Sequence, residues 1–191
     1  MSVRITLVAA ARSSSMLTER FDDDRSPDQT GWYEVQTAAP VLVPLNAAEL
    51  RYCAPTLCSR ATAQALGFAP MAQPALRGCD MGRWRGLTLG EVTAVEPDAV
   101  DIWLADPRSA PHGGESLLAF IGRIGTWLDT RPAQDGGSVV AVAESSVVRA
   151  ALVYVLNAPP SSYWNVDVRP LSTLVLTGSA GYWKLCLQTA A

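Results

Sequence analysis

The chain has 191 residues, 49% of them hydrophobic, enough apolar material for one sizeable core, so residues 1–191 read as a single domain. Its formal net charge is −3 and its basic residues, with Lys184 the only lysine, are scattered; the lack of a basic patch excludes nucleic acid and anionic membranes as main partners. The four cysteines, Cys53, Cys58, Cys79 and Cys186, form no CxxC pair and the chain has one histidine, so zinc-ligand spacing is absent and neither a metal nor a cofactor is expected.

The segment "ITLVAAARSSSML" opens with Ile5–Val8, a β-branched and aliphatic run of the kind that forms a strand covered on both faces. "ERFDDDRSPDQTG" is polar enough to predict a mobile surface loop. A helix starting near Gly31 is expected to stop before Pro40, because proline removes a donor and crowds the preceding turn. Further strand-like runs fall at Leu50–Cys53 and Ser138–Ala143, and "CSRATAQALG" predicts a helix beginning near Cys58. In "ESLLAFIGRIGTWLD", Leu117, Phe120, Ile121, Ile124, Trp127 and Leu128 recur at three and four, which places them on one helical face. Val148, Ala151, Leu152 and Val155 repeat the spacing, and "STLVLTGSAGYWKLCL" predicts a hairpin around Gly178–Gly181. Alternating strands and helices predict an α/β fold, a three-layer α/β/α sandwich with a mostly parallel sheet. No run approaches the ~18 apolar residues of a membrane span, and the first residues lack a basic-then-apolar signal pattern. The expected setting is therefore the cytoplasm, with free thiols.

Two long stretches carry a family resemblance. "LRGCDMGRWRGLTLGEV" places Leu76, Gly82, Trp84, Gly86, Leu87, Thr88 and Glu91 in register with a motif of the histidine phosphatase superfamily, the phosphoglycerate-mutase-like proteins. "WLADPRSAPHGGESLLAFIGRIGTWL" is similar to the next, through Trp103, Asp106, Pro107, Gly113, Gly114, Glu115, Ser116 and Arg123. The likeness runs through nearly the whole chain in the family's order. It implies the phosphoglycerate-mutase-like sandwich with a site at the carboxyl ends of the strands.

The resemblance also implies losses. In the family the loop after the first strand carries Arg-His-Gly, whose histidine accepts a phosphoryl group; here those places fall on Ala9, Ala10 and Ala11. "APTLCSRATA" resembles the second motif through Pro55, Thr62 and Ala63, with the phosphate-binding arginine falling on Cys58. "VAESSVVR" resembles the last through Val142, Val147 and Arg149, with the second catalytic histidine falling on Glu144. Glu115 stays as a proton-donor candidate. A phosphomonoester carries nearly two negative charges and is held by guanidinium forks and imidazolium donors. Methyl groups, a thiol and a carboxylate make a neutral or acidic pocket, and like charges at about 4 Å repel by roughly 4 kcal/mol at an effective dielectric near 20.

Other groups could take part. His112, in "PHGGES", is the one imidazole, though a loop histidine is more often structural; Arg12 could swing toward the pocket mouth or simply pin its loop. Cys58 at a helix start could be an acidified thiol, or a buried small hydrophobe. Glu115 and Glu144 could divide acid and base roles, or Glu144 could cap the helix that follows it. Trp84, Trp103, Trp127, Trp164 and Trp183 suit a core or pocket wall better than a sugar platform.

The leading expectation is a pseudoenzyme, a phosphatase-like scaffold kept for binding or regulation, its vestigial pocket formed by Ala9, Ala10, Cys58, His112 and Arg12. The alternative is altered acid–base chemistry by Glu115 and Glu144 on a non-phosphorylated small molecule, and the third reading is residual phosphatase or mutase activity. The partner is an unspecified small molecule or protein, and the sequence does not define an oligomeric state.

Overall fold

The computed structural model of the protein describes residues 2–17, 20–21, 24–131 and 137–187. Its frame is a six-stranded sheet in the order β3-β2-β4-β1-β5-β6, with β1 at Val3–Ala9, β2 at Leu50–Cys53, β3 at Met71–Ala72, β4 at Ser138–Ala143, β5 at Thr173–Ser179 and β6 at Tyr182–Cys186. The first four are mutually parallel, whereas β5 runs antiparallel to β1 and turns back into β6. The mostly parallel sheet and the C-terminal hairpin both follow the sequence pattern.

Strand β1 shows why the fold has three layers. Successive side chains of a strand point to opposite faces: Ile5, Leu7 and Ala9 enter one apolar cluster, and Val8 with Ala10 enters another. The first cluster is completed by α6 (Leu117–Asp129) and α7 (Ser145–Val155), the second by α2 (Gln29–Leu42) and α3 (Leu57–Ala65). Helix α6 buries the expected face, Leu117, Phe120, Ile121, Ile124, Trp127 and Leu128; each such side chain stabilises the fold by about 1.5–3 kcal/mol. It also meets α7 closely, since a Cβ on Gly125 would lie 2.2 Å from the Tyr154 ring. The short helices α1 (Ser14–Leu17), α4 (Leu89–Val95) and α5 (Pro97–Ala105) stand beyond the carboxyl edge of the sheet or flank it. Trp84, Val92, Val100 and Trp103 form a third cluster there.

One expectation is corrected. Helix α2 passes through Pro40 and ends at Leu42. The missing proline N–H orphans the Gln36 carbonyl, but both residues are exposed, so water replaces the lost bond. Helix termination is then left to Pro44, which opens a short 3₁₀ turn. Within the polar stretch Phe21 is anchored: its N donates to Leu87 O at 2.9 Å, and its ring packs on Trp84 and Trp103 at 5.8 and 5.7 Å. Glu19, Asp22 and Asp23 of that stretch lie outside the described residues.

Candidate functional site

The register of the parallel strands brings three distant loops together. Ala9 pairs with Ala143, and Cys53 with Val142; immediately beyond, Ala10 N donates to Ala143 O at 2.7 Å and Ala54 N to Val142 O at 2.8 Å. Ala10, Thr56 and Glu144 therefore emerge side by side at the carboxyl edge, where they border a cavity of about 570 Å³. Its floor includes Ala10, Ala11, Thr56, Cys58 and Glu144, and its walls include Phe120, Trp103, Tyr163 and Trp164.

Glu144 is the most heavily tied of the floor residues. Its carboxylate Oε1 accepts from the Ser59 hydroxyl at 2.9 Å and from the Thr56 hydroxyl. Thr56 is also the N-cap of α3, where its Oγ1 accepts from Ser59 N at 3.4 Å. The carboxylate thus sits at the start of α3, where unsatisfied amides and the helix dipole favour negative charge. The expected capping of the following helix holds only for the backbone: Glu144 O accepts from Val147 N at 2.9 Å, and the side chain makes no cap on α7. The reason is register, which sets the α3 hydroxyls within reach of the carboxylate.

Cys58 is buried, and its Sγ lies 3.1 Å from Ala11 O, to which it donates. Burial, followed by the nearby negative charge of Glu144, pushes the thiol pKa up to about 12. At neutral pH it is a protonated, packed thiol, and the helix-start acidification weighed from sequence is outcompeted by desolvation.

Glu115 does not line the cavity. Arg123 grips it as a fork, Nε to Oε1 at 2.9 Å and Nη2 to Oε2 at 2.7 Å, while the same guanidinium donates to the carbonyls of Ala75, Arg77 and Gly78. The anticipated acid–base pair with Glu144 is therefore not assembled: one carboxylate clamps α6 to the 75–78 segment, and the other lies on the cavity floor. His112 is likewise elsewhere. It is buried against Trp84 with ring centroids 5.1 Å apart, its Nδ1 accepts from Gly114 N at 3.0 Å, and burial lowers its pKa. A Cβ on Gly114 would lie 2.1 Å from Asp80 O, so this loop meets its neighbour backbone to backbone. Arg12 pins its own loop, with Nε donating to Asp28 Oδ2 at 3.3 Å, and Ala9 is the fully buried last residue of β1.

Sequence reasoning missed the hydroxyl clamp and much of the wall. Thr56 and Ser59 carry a cap spacing that could have been read; Phe21 and Tyr163 lie in stretches with no periodicity to read. Trp103, Trp164 and Tyr163 interlock edge to face, at 4.7 Å and 5.1 Å. The Arg149 guanidinium lies 4.9 Å over the Tyr163 ring. Arg20, Arg25 and Arg149 also border the cavity, so its walls are more cationic than the floor. Among the described residues no group of His, Cys, Asp or Glu is placed to hold a metal ion, and no helix is long and apolar enough to cross a membrane.

The fold and the sequence place this chain in a known class: it belongs to the histidine phosphatase superfamily (branch 1), whose family model matches residues 24–189. Among its relatives is glucosyl-3-phosphoglycerate phosphatase of Mycolicibacterium vanbaalenii, 35% identical over 99 residues that make up 48% of this chain and 44% of the relative. The Mycobacterium tuberculosis enzyme of the same name is 28% identical over 106 residues, 51% and 48% of the two chains. The matched part thus spans just under half the length of these curated relatives. A mycobacterial glucosyl-3-phosphoglycerate phosphatase solved with VO3 superposes with a TM-score of 0.79 at 23% identity, over 98% of this chain and 99% of that one. A mutant phosphoserine phosphatase from Entamoeba histolytica, solved with phosphoserine, gives 0.83 at 15% identity over 96% and 94%. Both structural likenesses speak for the fold.

Proposed function

We propose that this protein is a catalytically degenerate histidine phosphatase that binds a small molecule in the pocket at the carboxyl edge of its sheet. The observation that carries this reading is the whereabouts of the chain's single histidine. His112 is buried against Trp84, outside the cavity, so no imidazole can reach a ligand there. The floor offers the Ala10 methyl and a protonated Cys58, neither of them a nucleophile, and a Glu144 carboxylate whose Oε1 accepts from two hydroxyls, which lowers its nucleophilicity. Glu115, tied into its fork with Arg123, is a structural carboxylate and not a proton donor. The four free cysteines accord with a cytoplasmic setting.

The relatives are phosphatases by name, so the test is turnover. Purified protein is incubated with p-nitrophenyl phosphate and with glucosyl-3-phosphoglycerate, and phosphate release is compared with buffer. No release above buffer is expected. Release that tracks the protein through purification and is lost in Glu144→Ala overturns the reading and makes this chain a phosphatase with a rebuilt site.

A further inference from the structure

Arg149 is a cation on the cavity wall that stands in no ion pair among the described residues. Other arginines of the chain are matched: Arg12 with Asp28, Arg83 with Glu96, Arg123 with Glu115, and Arg20, also at the cavity, with Glu91 at 3.6 Å. Arg149 is half-buried on α7, its Nε is buried without a hydrogen-bond partner, and its guanidinium lies 4.9 Å over the Tyr163 ring. A ring face attracts a cation without neutralising it. A guanidinium drawn out of water and left without an acceptor is costly, and an arriving anion removes that cost.

One turn back on the same helix, Ser145 carries a buried hydroxyl that is likewise without a partner, and it too borders the cavity. Residues four apart on a helix are neighbours. A guanidinium and a hydroxyl therefore stand together on one side of the cavity, and both can donate.

The charge around them suits a monoanion. The planar two-oxygen head of a carboxylate matches one guanidinium fork, whereas a phosphomonoester brings nearly two charges. Glu144 keeps its carboxylate within the protein, Oε1 on Thr56 and Ser59 and Oε2 buried, yet its charge borders the same cavity and opposes the second charge of a dianion.

The wall beside Arg149 is aromatic. Phe120, Tyr163, Trp164 and Trp103 pack edge to face in sequence and all border the cavity, a surface that accepts a flat apolar body by area burial. The cavity, about 570 Å³, has the size of an ordinary small-molecule site.

We infer that the pocket binds an organic monocarboxylate, an apolar and preferably aromatic body along this wall with its carboxylate head on Arg149, and that Arg149 sets the preference. This rests on the reading of the protein as a binding scaffold without phosphoryl chemistry.

The test uses four probes with similar bodies and different heads: 3-phenylpropionate, 2-phenylethanol, 2-phenylethylamine and 2-phenylethyl phosphate. Binding to the full chain is followed by calorimetry and by tryptophan fluorescence. The carboxylate is expected to bind about 10- to 100-fold more tightly than the alcohol, the range a charge-assisted hydrogen bond supplies, with the amine weakest and the phosphate weaker than the carboxylate. Arg149→Gln should bring carboxylate and alcohol to similar affinity, Arg149→Lys should keep part of the preference, and Trp164→Ala should weaken both ligands alike. If the alcohol, the amine or the phosphate binds the wild type as tightly as the carboxylate, if Arg149→Gln keeps the carboxylate preference, or if none of the four binds, the inference is wrong. Should Arg149→Gln fail to fold, the order of heads on the wild type and the partial loss in Arg149→Lys decide the matter. Hydrolysis of 2-phenylethyl phosphate overturns the parent reading, whereas a different order of heads without hydrolysis overturns the carboxylate preference alone.

Discussion

Ser59 and Glu144, 85 residues apart, are joined by a 2.9 Å hydrogen bond from the serine hydroxyl to the carboxylate. The bond ties the start of α3 to the loop after β4, and so joins the helical layers on opposite faces of the sheet. Ser59 is fully buried, so losing either partner leaves the other in a site with little water.

A double-mutant cycle with Ser59→Ala and Glu144→Gln reads that bond directly. Hydrogen bonds to charged groups contribute about 1.5–3 kcal/mol, so Ser59→Ala should lower unfolding free energy by an amount of that order. The double mutant should lose less than the two single losses combined. Additive losses in denaturant titrations would mean that Ser59 and Glu144 act independently, with Thr56 holding the carboxylate alone.

The Arg123–Glu115 fork makes the opposite case, a carboxylate whose role is mechanical. Arg123 meets both carboxylate oxygens and three carbonyls of the 75–78 segment, a geometry that needs the planar fork and that lysine cannot copy. Arg123→Lys should cost stability, and Arg123→Ala should cost about 3 kcal/mol, the lower end for breaking a largely buried pair. Glu115→Gln should likewise destabilise, read as a lower midpoint in chemical denaturation. A Glu115→Gln protein of full stability would mean that the fork does not hold α6 to the 75–78 segment.

His112 imposes a pH dependence whose sign follows from burial. Desolvation holds its pKa below the ordinary 6.5, so between the two values the unfolded chain binds a proton that the folded chain refuses. Stability contributed by neutral His112 is full above about 6.5 and declines as pH falls toward the folded-state value. Protonation would also remove the acceptor Nδ1 used by Gly114 N. His112→Asn, whose amide oxygen can accept in its place, should be less stable at pH 7.5 but should lose less on acidification to pH 5. Chemical denaturation at the two pH values checks this, and parallel losses in both proteins would show that His112 does not titrate differently on folding.

The strands and the long helix α6 were legible because their signal is local: β-branched runs for β1, β2 and β4, and a three-and-four repeat for α6. The α2 terminus was misread because the rule for proline assumes an orphaned carbonyl in a dry place, and Gln36 is exposed. In the site, motif register foretold that Ala10, Cys58 and Glu144 share a cavity. It could not foretell that Arg123 claims Glu115 or that two α3 hydroxyls claim Glu144. Those partnerships depend on side-chain reach across layers, which no spacing along one segment encodes. The pairing of carboxylates imagined from sequence failed for that reason.

Cys58 offers a last measurement that joins burial to the charge of Glu144. With its pKa at about 12, roughly one molecule in ten thousand carries the thiolate at pH 8, and the thiolate is the reactive form. Iodoacetamide on the native protein at pH 8 should therefore modify the half-buried Cys79 and Cys186 first and leave the buried Cys53 and Cys58 intact. The raised value also carries a stability sign: the folded thiol keeps its proton where the unfolded one, near 8.5, gives it up. This contribution is full below about 8.5 and is lost as pH rises toward the folded value. Because the Glu144 charge is one of the causes of the shift, Glu144→Gln should lower the Cys58 pKa and hasten its alkylation relative to the wild type. Peptide mapping by mass spectrometry after timed labelling reads both effects. Cys58 modified as fast as Cys79 in the wild type would mean that the thiol is accessible and acidic, and would restore it as a candidate nucleophile in the pocket.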